Sequence, residues 1–131
     1  MQKIKVLLAD HHETLRKTLV RFLEEQTGVE SVTVAETGSD ALVSAMENSP
    51  NVALIDVTMP GAHGFRITRE FKQLFPSTRV FVLTLHEGGI CKQIADENLA
   101  DGVIEKSTMK KAIESIIAGE QAGLSTVNNL R

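Results

Sequence analysis

Short apolar runs that each end at a polar residue constrain this chain most. Ile4-Lys5-Val6-Leu7-Leu8-Ala9 ends at Asp10, Val52-Ala53-Leu54-Ile55 at Asp56, and Val80-Phe81-Val82-Leu83 at Thr84. Runs this short, bounded by turn residues, predict strands buried on both faces. The stretch from Asn51 to Gly61 is central. It holds a buried strand, a carboxylate at its end, and Pro60-Gly61 to turn the chain away. An unpaired carboxylate inside an apolar sheet is costly. Asp56 is therefore expected at the strand's end, near solvent or near partners.

Helical spacing fills the intervals. His12 to Gln26 carries Leu15, Leu19, Phe22 and Leu23, and Thr27-Gly28 stops it. Val32 and Val34 alternate with Ser31, Thr33 and Ala35, the pattern of an edge strand exposed on one face. Gly38-Ser39-Asp40 opens a helix bearing Ala41, Leu42, Ala45 and Met46, and Ser49-Pro50 ends it. After the loop from Met59 to Gly64, a helix presents Ile67, Phe71, Leu74 and Phe75 on one face until Pro76-Ser77. Glu87 to Asn98 reads as a weak helix, with Ile90, Ile94 and Ala95 as its thin apolar side and Gly88-Gly89 lowering its propensity. Val103-Ile104 forms a short strand ending near Lys106. Thr108 to Ala118 is the last helix, with Met109, Ala112, Ile113, Ile116 and Ile117 inward and Gly119 ending it. Strands alternating with helices predict a parallel α/β sheet covered on both faces. One domain over residues 1–119, followed by a linker or tail over 120–131, is expected.

Composition excludes several classes. At 131 residues a single domain with a sizeable core is natural. A net charge of −3 offers no nucleic-acid face on this piece. Cys91 is the lone cysteine, so no internal disulfide forms and a reducing cytoplasm fits. No run approaches bilayer-spanning length, so no membrane partner is expected. Met1-Gln2-Lys3-Ile4-Lys5 has no signal-peptide form.

In an open parallel α/β sheet, sites lie at the carboxyl ends of the strands. Asp10, Asp56, Thr84 and Lys106 occupy those ends on the first, third, fourth and fifth strands. Each alone is as readily a solvated loop residue. Together they are a constellation. Two neighbouring carboxylates repel unless a cation lies between them, and Mg2+ takes oxygen ligands. A lysine neutralises an incoming anion and a hydroxyl hydrogen-bonds to it. Such a pocket suits phosphoryl transfer to a carboxylate.

On these residues the chain resembles a response-regulator receiver domain of two-component signalling, from Ile4 to about Gly119. The resemblance rests on Ala9-Asp10, on Leu54-Ile55-Asp56-Val57-Thr58-Met59-Pro60-Gly61, on Leu83-Thr84 and on Glu105-Lys106-Ser107. It implies a (βα)5 flavodoxin-like fold with strand order 2-1-3-4-5. It implies that Asp56 accepts a phosphoryl group from a sensor histidine kinase, with self-catalysed transfer and slow autodephosphorylation rather than a metabolic enzyme's turnover. Asp10, Asp56 and the backbone carbonyl of Thr58 would hold Mg2+. Lys106 and Thr84 would contact the phosphoryl oxygens.

The chain also departs from the family's pattern. The second acid usual after the first strand is His11 here. Imidazole suits Zn2+, Cu2+ or Ni2+ better than Mg2+. Three readings stay open: weakened Mg2+ binding with phosphorylation intact, a pseudo-receiver acting as an interaction module, or a transition-metal site of Asp10, His11 and Asp56. Val103 replaces the aromatic residue often found three before the lysine and reads as a core valine. The turn after Lys106 is about one helical turn short, with Ser107 where proline is frequent. Leu99 occupies the place of a helix-ending glycine, with Asn98 able to take the left-handed conformation instead. Hence the output surface around 86–102 is in question. His12, His63 and His86 read as solvated, and Cys91 as an apolar filler.

Ala118-Gly119-Glu120 followed by Leu124-Ser125 resembles the connector to a helix-turn-helix DNA-binding domain, which is absent before Arg131. The chain reads as a fragment of a longer regulator or as a stand-alone receiver. DNA is then a partner only through that absent domain, and a homodimer stays open. A flavin-binding protein of similar fold would need a phosphate-cradling loop where Asp10-His11-His12-Glu13 would repel phosphate.

Overall fold

The computed structural model describes residues 2–63, 66–84 and 100–129, the side chains of 106 and 124–129 excepted. In chain order its elements are β1 (Ile4–Ala9), α1 (Glu13–Glu24), β2 (Val29–Ala35), α2 (Gly38–Asn48), β3 (Val52–Asp56), α3 (Arg66–Leu74), β4 (Arg79–Thr84), β5 (Gly102–Glu105), a 3-10 turn (Lys106–Thr108) and α4 (Met109–Asn129). The expected helix from Glu87 to Asn98, with His86, Gly88, Gly89, Cys91 and Leu99, lies outside the described residues. No helix among those described is long and apolar enough to cross a membrane.

The five strands form one sheet in the order β2-β1-β3-β4-β5, and every neighbouring pair is parallel. This is the order that the resemblance implied. Strand side chains alternate between the two faces, and the two cores follow that alternation. Leu7, Ala9, Ala53, Ile55, Val80 and Val82 pack with α2 and α3, around Phe71. Val6, Leu8, Val52, Leu54, Leu83 and Ile104 pack with α1 and α4, around Leu19, Leu23 and Ile113. All five residues of β3 are buried, as a strand covered on both faces requires. Val103 packs at the margin of the first core.

Three inward assignments differ from the sequence reading. Leu74 and Met46 are 61% and 70% exposed. At 100° per residue, Ile67, Phe71, Phe75 and Thr68 fall within an arc of about 100°, and Leu74 lies just outside it. Thr68 is buried in its place. On α2 the buried face is Gly38, Ala41 and Ala45, and Met46 is turned away from it. Val34 is exposed on the edge strand while Ala35 is buried.

The last helix also runs further than expected, through Asn129 instead of ending at Gly119. A Cβ at Gly119 would meet nothing within 4 Å, so that glycine marks no tight turn. A helical glycine costs only about 1 kcal/mol, and the flanking Ala118, Glu120, Gln121 and Ala122 are good helix formers. Gln121 further ties the extension to the start of the chain, its Nε2 donating to the Gln2 carbonyl at 2.9 Å.

Candidate functional site

The register brings four positions to one edge of the sheet. Ala9 pairs with Ile55, so Asp10 and Asp56 follow on adjacent strands. Asp56 pairs with Leu83, Leu83 precedes Thr84, and Thr84 pairs with Glu105, directly before Lys106. Asp10, Asp56 and Thr84 are buried. Lys106 begins the 3-10 turn, and the chain passes straight through that turn into α4. The Lys106 side chain lies outside the described residues.

The same local device turns the chain at both carboxylates. Asp10 Oδ1 accepts the backbone N–H of His12 at 2.8 Å, and Asp56 Oδ1 accepts the backbone N–H of Thr58 at 2.9 Å. Each is an aspartate bonding an amide two residues on, a turn that aspartate favours. At Asp56 the Thr58 hydroxyl adds a second bond to Oδ1 at 2.6 Å. Gly38 supports this loop from the side: its N–H donates to the Pro60 carbonyl at 2.9 Å, and its Cα lies close against Gly61, which takes a positive φ of 78°.

At Asp10 the turn carries two imidazoles back over the pocket. His11 Nδ1 lies 3.4 Å and His12 Nδ1 3.3 Å from Asp56 Oδ2. His12 Nδ1 is also 3.0 Å from Asp10 Oδ1. The two rings stand 4.1 Å apart. His12 is the N-cap of α1, yet its side chain makes no capping bond; it serves the carboxylates instead. Arg16 fastens the loop from behind, with Nη1 donating to the Asp10 carbonyl at 3.2 Å and Nη2 pairing with Glu36 at 2.8 Å. Glu13, exposed, bonds Lys17 at 2.8 Å, and that bond and charge hold its carboxyl below the usual range.

One ligand atom from each of Asp10, His11, His12 and Asp56 lies within 4.8 Å of the others, so these four could hold a metal ion. The carboxylates are the hard oxygen donors that Mg2+ takes. The imidazoles suit Zn2+, Ni2+ or Cu2+. The sequence reading included Asp10, His11 and Asp56 and missed His12, Arg16 and the Thr58 hydroxyl. The available signal was the aspartate turn, which brings the residue two positions on beside the carboxylate. His63 lies exposed, with a left-handed φ of 52°.

The family model for the response regulator receiver domain matches residues 6–118. The chain belongs to that family. The receiver is 34% identical over 122 residues to the response regulator GacA of Pseudomonas aeruginosa, a match covering 90% of this chain and 57% of GacA. It therefore spans little more than half the length of that relative. Among solved structures it is similar to a LuxR-family two-component response regulator from Aurantimonas, at 29% identity and a TM-score of 0.77 over 90% of this chain and 87% of that one. It is also similar to the receiver domain of NarL, a regulator assigned to Mycobacterium tuberculosis, at 29% identity and a TM-score of 0.79 over 91% and 99% of the two chains.

Proposed function

We propose that this receiver is a phosphoryl-accepting switch with Asp56 as the acceptor. The observation that carries the reading is the convergence of two buried carboxylates, Asp10 and Asp56, at the carboxyl edge of the sheet, with Thr84 and Lys106 next along that edge. Asp56 is the nucleophile. Its carboxylate oxygen forms a bond to phosphorus while the bond from phosphorus to the donor's imidazole nitrogen breaks. The electron pair stays with that nitrogen, which takes up a proton. Thr58 orients the acceptor through its two bonds to Oδ1. Thr84 and Lys106 contact the phosphoryl oxygens, the hydroxyl donating a hydrogen bond and the ammonium neutralising charge. Mg2+, held by the carboxylates of Asp10 and Asp56 and the Thr58 carbonyl, would supply further neutralisation of the phosphoryl oxygens when bound.

The donor in this reading is a sensor histidine kinase in the cytoplasm. The output is transcription, through a DNA-binding domain outside residues 1–131. The greater length of GacA and the likeness to a LuxR-family regulator support that placement. The test is intact mass after incubation with acetyl phosphate, with and without Mg2+, beside Asp56→Asn. A gain of about 80 Da that needs Mg2+ and is lost in the variant is expected. No adduct from acetyl phosphate or from a cognate kinase would overturn the reading.

A further inference from the structure

Two imidazoles face an acceptor pocket for which oxygen donors alone would suffice. His11 and His12 bring Nδ1 to 3.4 and 3.3 Å from one and the same oxygen, Asp56 Oδ2. His12 Nδ1 lies 3.0 Å from Asp10 Oδ1. Around a tetrahedral Zn2+ with bonds of roughly 2.0–2.1 Å, the donors stand about 3.3 Å apart. Those three separations fall within a few tenths of an ångström of that value, and one ligand atom from each of the four residues lies within 4.8 Å of the others.

The carboxylates are preorganised. Thr58 anchors Asp56 through Oδ1, and the His12 amide anchors Asp10. Such hydrogen bonds from outside the ligand set orient metal ligands and strengthen them. The His11 and His12 side chains are 35% and 44% exposed, so they stand at the pocket mouth, where an ion enters from solvent. Nitrogen donors favour Zn2+, Ni2+ and Cu2+. Mg2+ demands near-octahedral oxygen coordination and gains nothing from imidazole.

We propose that Asp10, His11, His12 and Asp56 form a four-coordinate site for a borderline divalent ion of the Zn2+ class, which displaces Mg2+ and holds Asp56 unphosphorylated. The binding half stands on the geometry alone. The regulatory half rests on the proposed function, since an ion closed off by four protein ligands has no open position for a phosphoryl oxygen, whereas Mg2+ keeps such positions.

The test begins with chelator-stripped protein titrated with Zn2+ against a chromophoric chelator. One equivalent should bind, and the His11→Asn/His12→Asn double variant should lose affinity by at least about 100-fold, the upper end of what losing an outer-shell partner costs. His63→Asn should bind as wild type does. Co2+ in place of Zn2+ should show the visible absorption of a four-coordinate ion. Circular dichroism checks the fold of the double variant. Should it not fold, His11→Asp takes its place and should shift preference from Zn2+ toward Mg2+. No stoichiometric binding, or binding indifferent to these changes, overturns the site. In a second arm, acetyl phosphate and Mg2+ are supplied with and without one equivalent of Zn2+. Zn2+ should abolish the mass adduct in wild type and spare it in the double variant; an adduct that persists with Zn2+ bound overturns the regulatory half. Absence of the adduct without Zn2+, from acetyl phosphate and from a cognate kinase alike, would sink the phosphoacceptor reading and the regulation with it, while the titration still judges the site.

Discussion

Replacing Gly38 by alanine sets two effects against each other, and the structure decides between them. Gly38 opens α2 behind Thr37, whose hydroxyl accepts the Asp40 amide at 3.1 Å. Helix propensity alone makes alanine the better residue, by up to about 1 kcal/mol. A Cβ at Gly38, however, would stand 2.2 Å from the Gly61 carbonyl oxygen and 2.6 Å from its carbon, against ordinary contact from 3.4 Å. Both atoms are backbone, so no side chain can swing aside. The loop after β3 or the start of α2 must move by about 1 Å, and overpacking of this kind costs about 1–3 kcal/mol. The movement also strains the 2.9 Å bond from the Gly38 amide to the Pro60 carbonyl, worth about 1 kcal/mol.

Set against the propensity gain, the expected net loss is about 1–3 kcal/mol. For a domain of this size that lowers Tm by roughly 3–10 °C. The chain has no Trp and no Tyr, so far-UV circular dichroism in urea follows the transition. Equal slopes for the two proteins assign a midpoint shift to stability. A midpoint that stays or rises would refute the packing account, because propensity alone would then be acting. The loop also carries Thr58, which holds Asp56, so labelling by acetyl phosphate should slow in the variant.

Phe71→Ala removes a fully buried ring from the core between α3 and the sheet and should cost about 3–5 kcal/mol by urea denaturation. Asp101→Ala strips the Val80 amide of an acceptor at 2.7 Å and Lys72 of its partner at 2.8 Å; a loss of about 2–3 kcal/mol is expected, and a neutral result would show that water replaces the carboxylate. Burial raises the Glu120 carboxyl above its ordinary value, partly opposed by Arg79 and reinforced by Asp101. The folded state then keeps a proton that the unfolded chain has released, so stability falls as pH climbs through that range. Glu120→Gln should therefore raise Tm at neutral pH, and the gain should vanish below the carboxylate range. His11→Asp adds a hard oxygen donor beside Asp10 and should tighten Mg2+ by roughly tenfold or more, read by calorimetric titration; unchanged affinity would show that His11 is not what limits Mg2+.

The strands were legible because a run buried on both faces leaves little room for another reading. Val52 to Ile55 has one plausible home, and the sheet's order followed from the family resemblance rather than from the runs themselves. The helix faces were legible only in part. Periodicity gives the width of an apolar stripe, but its centre depends on what lies beneath. Small residues decided that centre on α2, where Gly38, Ala41 and Ala45 approach the sheet closely and leave Met46 in solvent. Gly119 misled for a related reason. An exposed glycine in a helix loses too little to end it when its neighbours favour helix.

The site shows where reading by residue type stops. Asp10 and Asp56 stood out because each ends an apolar run. His11 stood out only against a family pattern, and His12 not at all, since a histidine before a helix is ordinarily solvated. What brings His12 into the pocket is backbone geometry: the Asp10 carboxylate folds the chain onto the amide two residues on, and the ring follows the amide. Asp56 does the same to Thr58. One turn thus delivers an imidazole to both carboxylates, and the other a hydroxyl to Asp56. The donor chemistry of the pocket is set as much by what stands two residues after each aspartate as by the aspartates themselves. Exchanging His12 for serine should leave the turn at Asp10 intact, because its bond runs through the backbone, while removing a nitrogen donor. Zn2+ affinity should then fall with little change in thermal stability. A large loss of stability instead would show that the ring, rather than the amide, holds this loop in place.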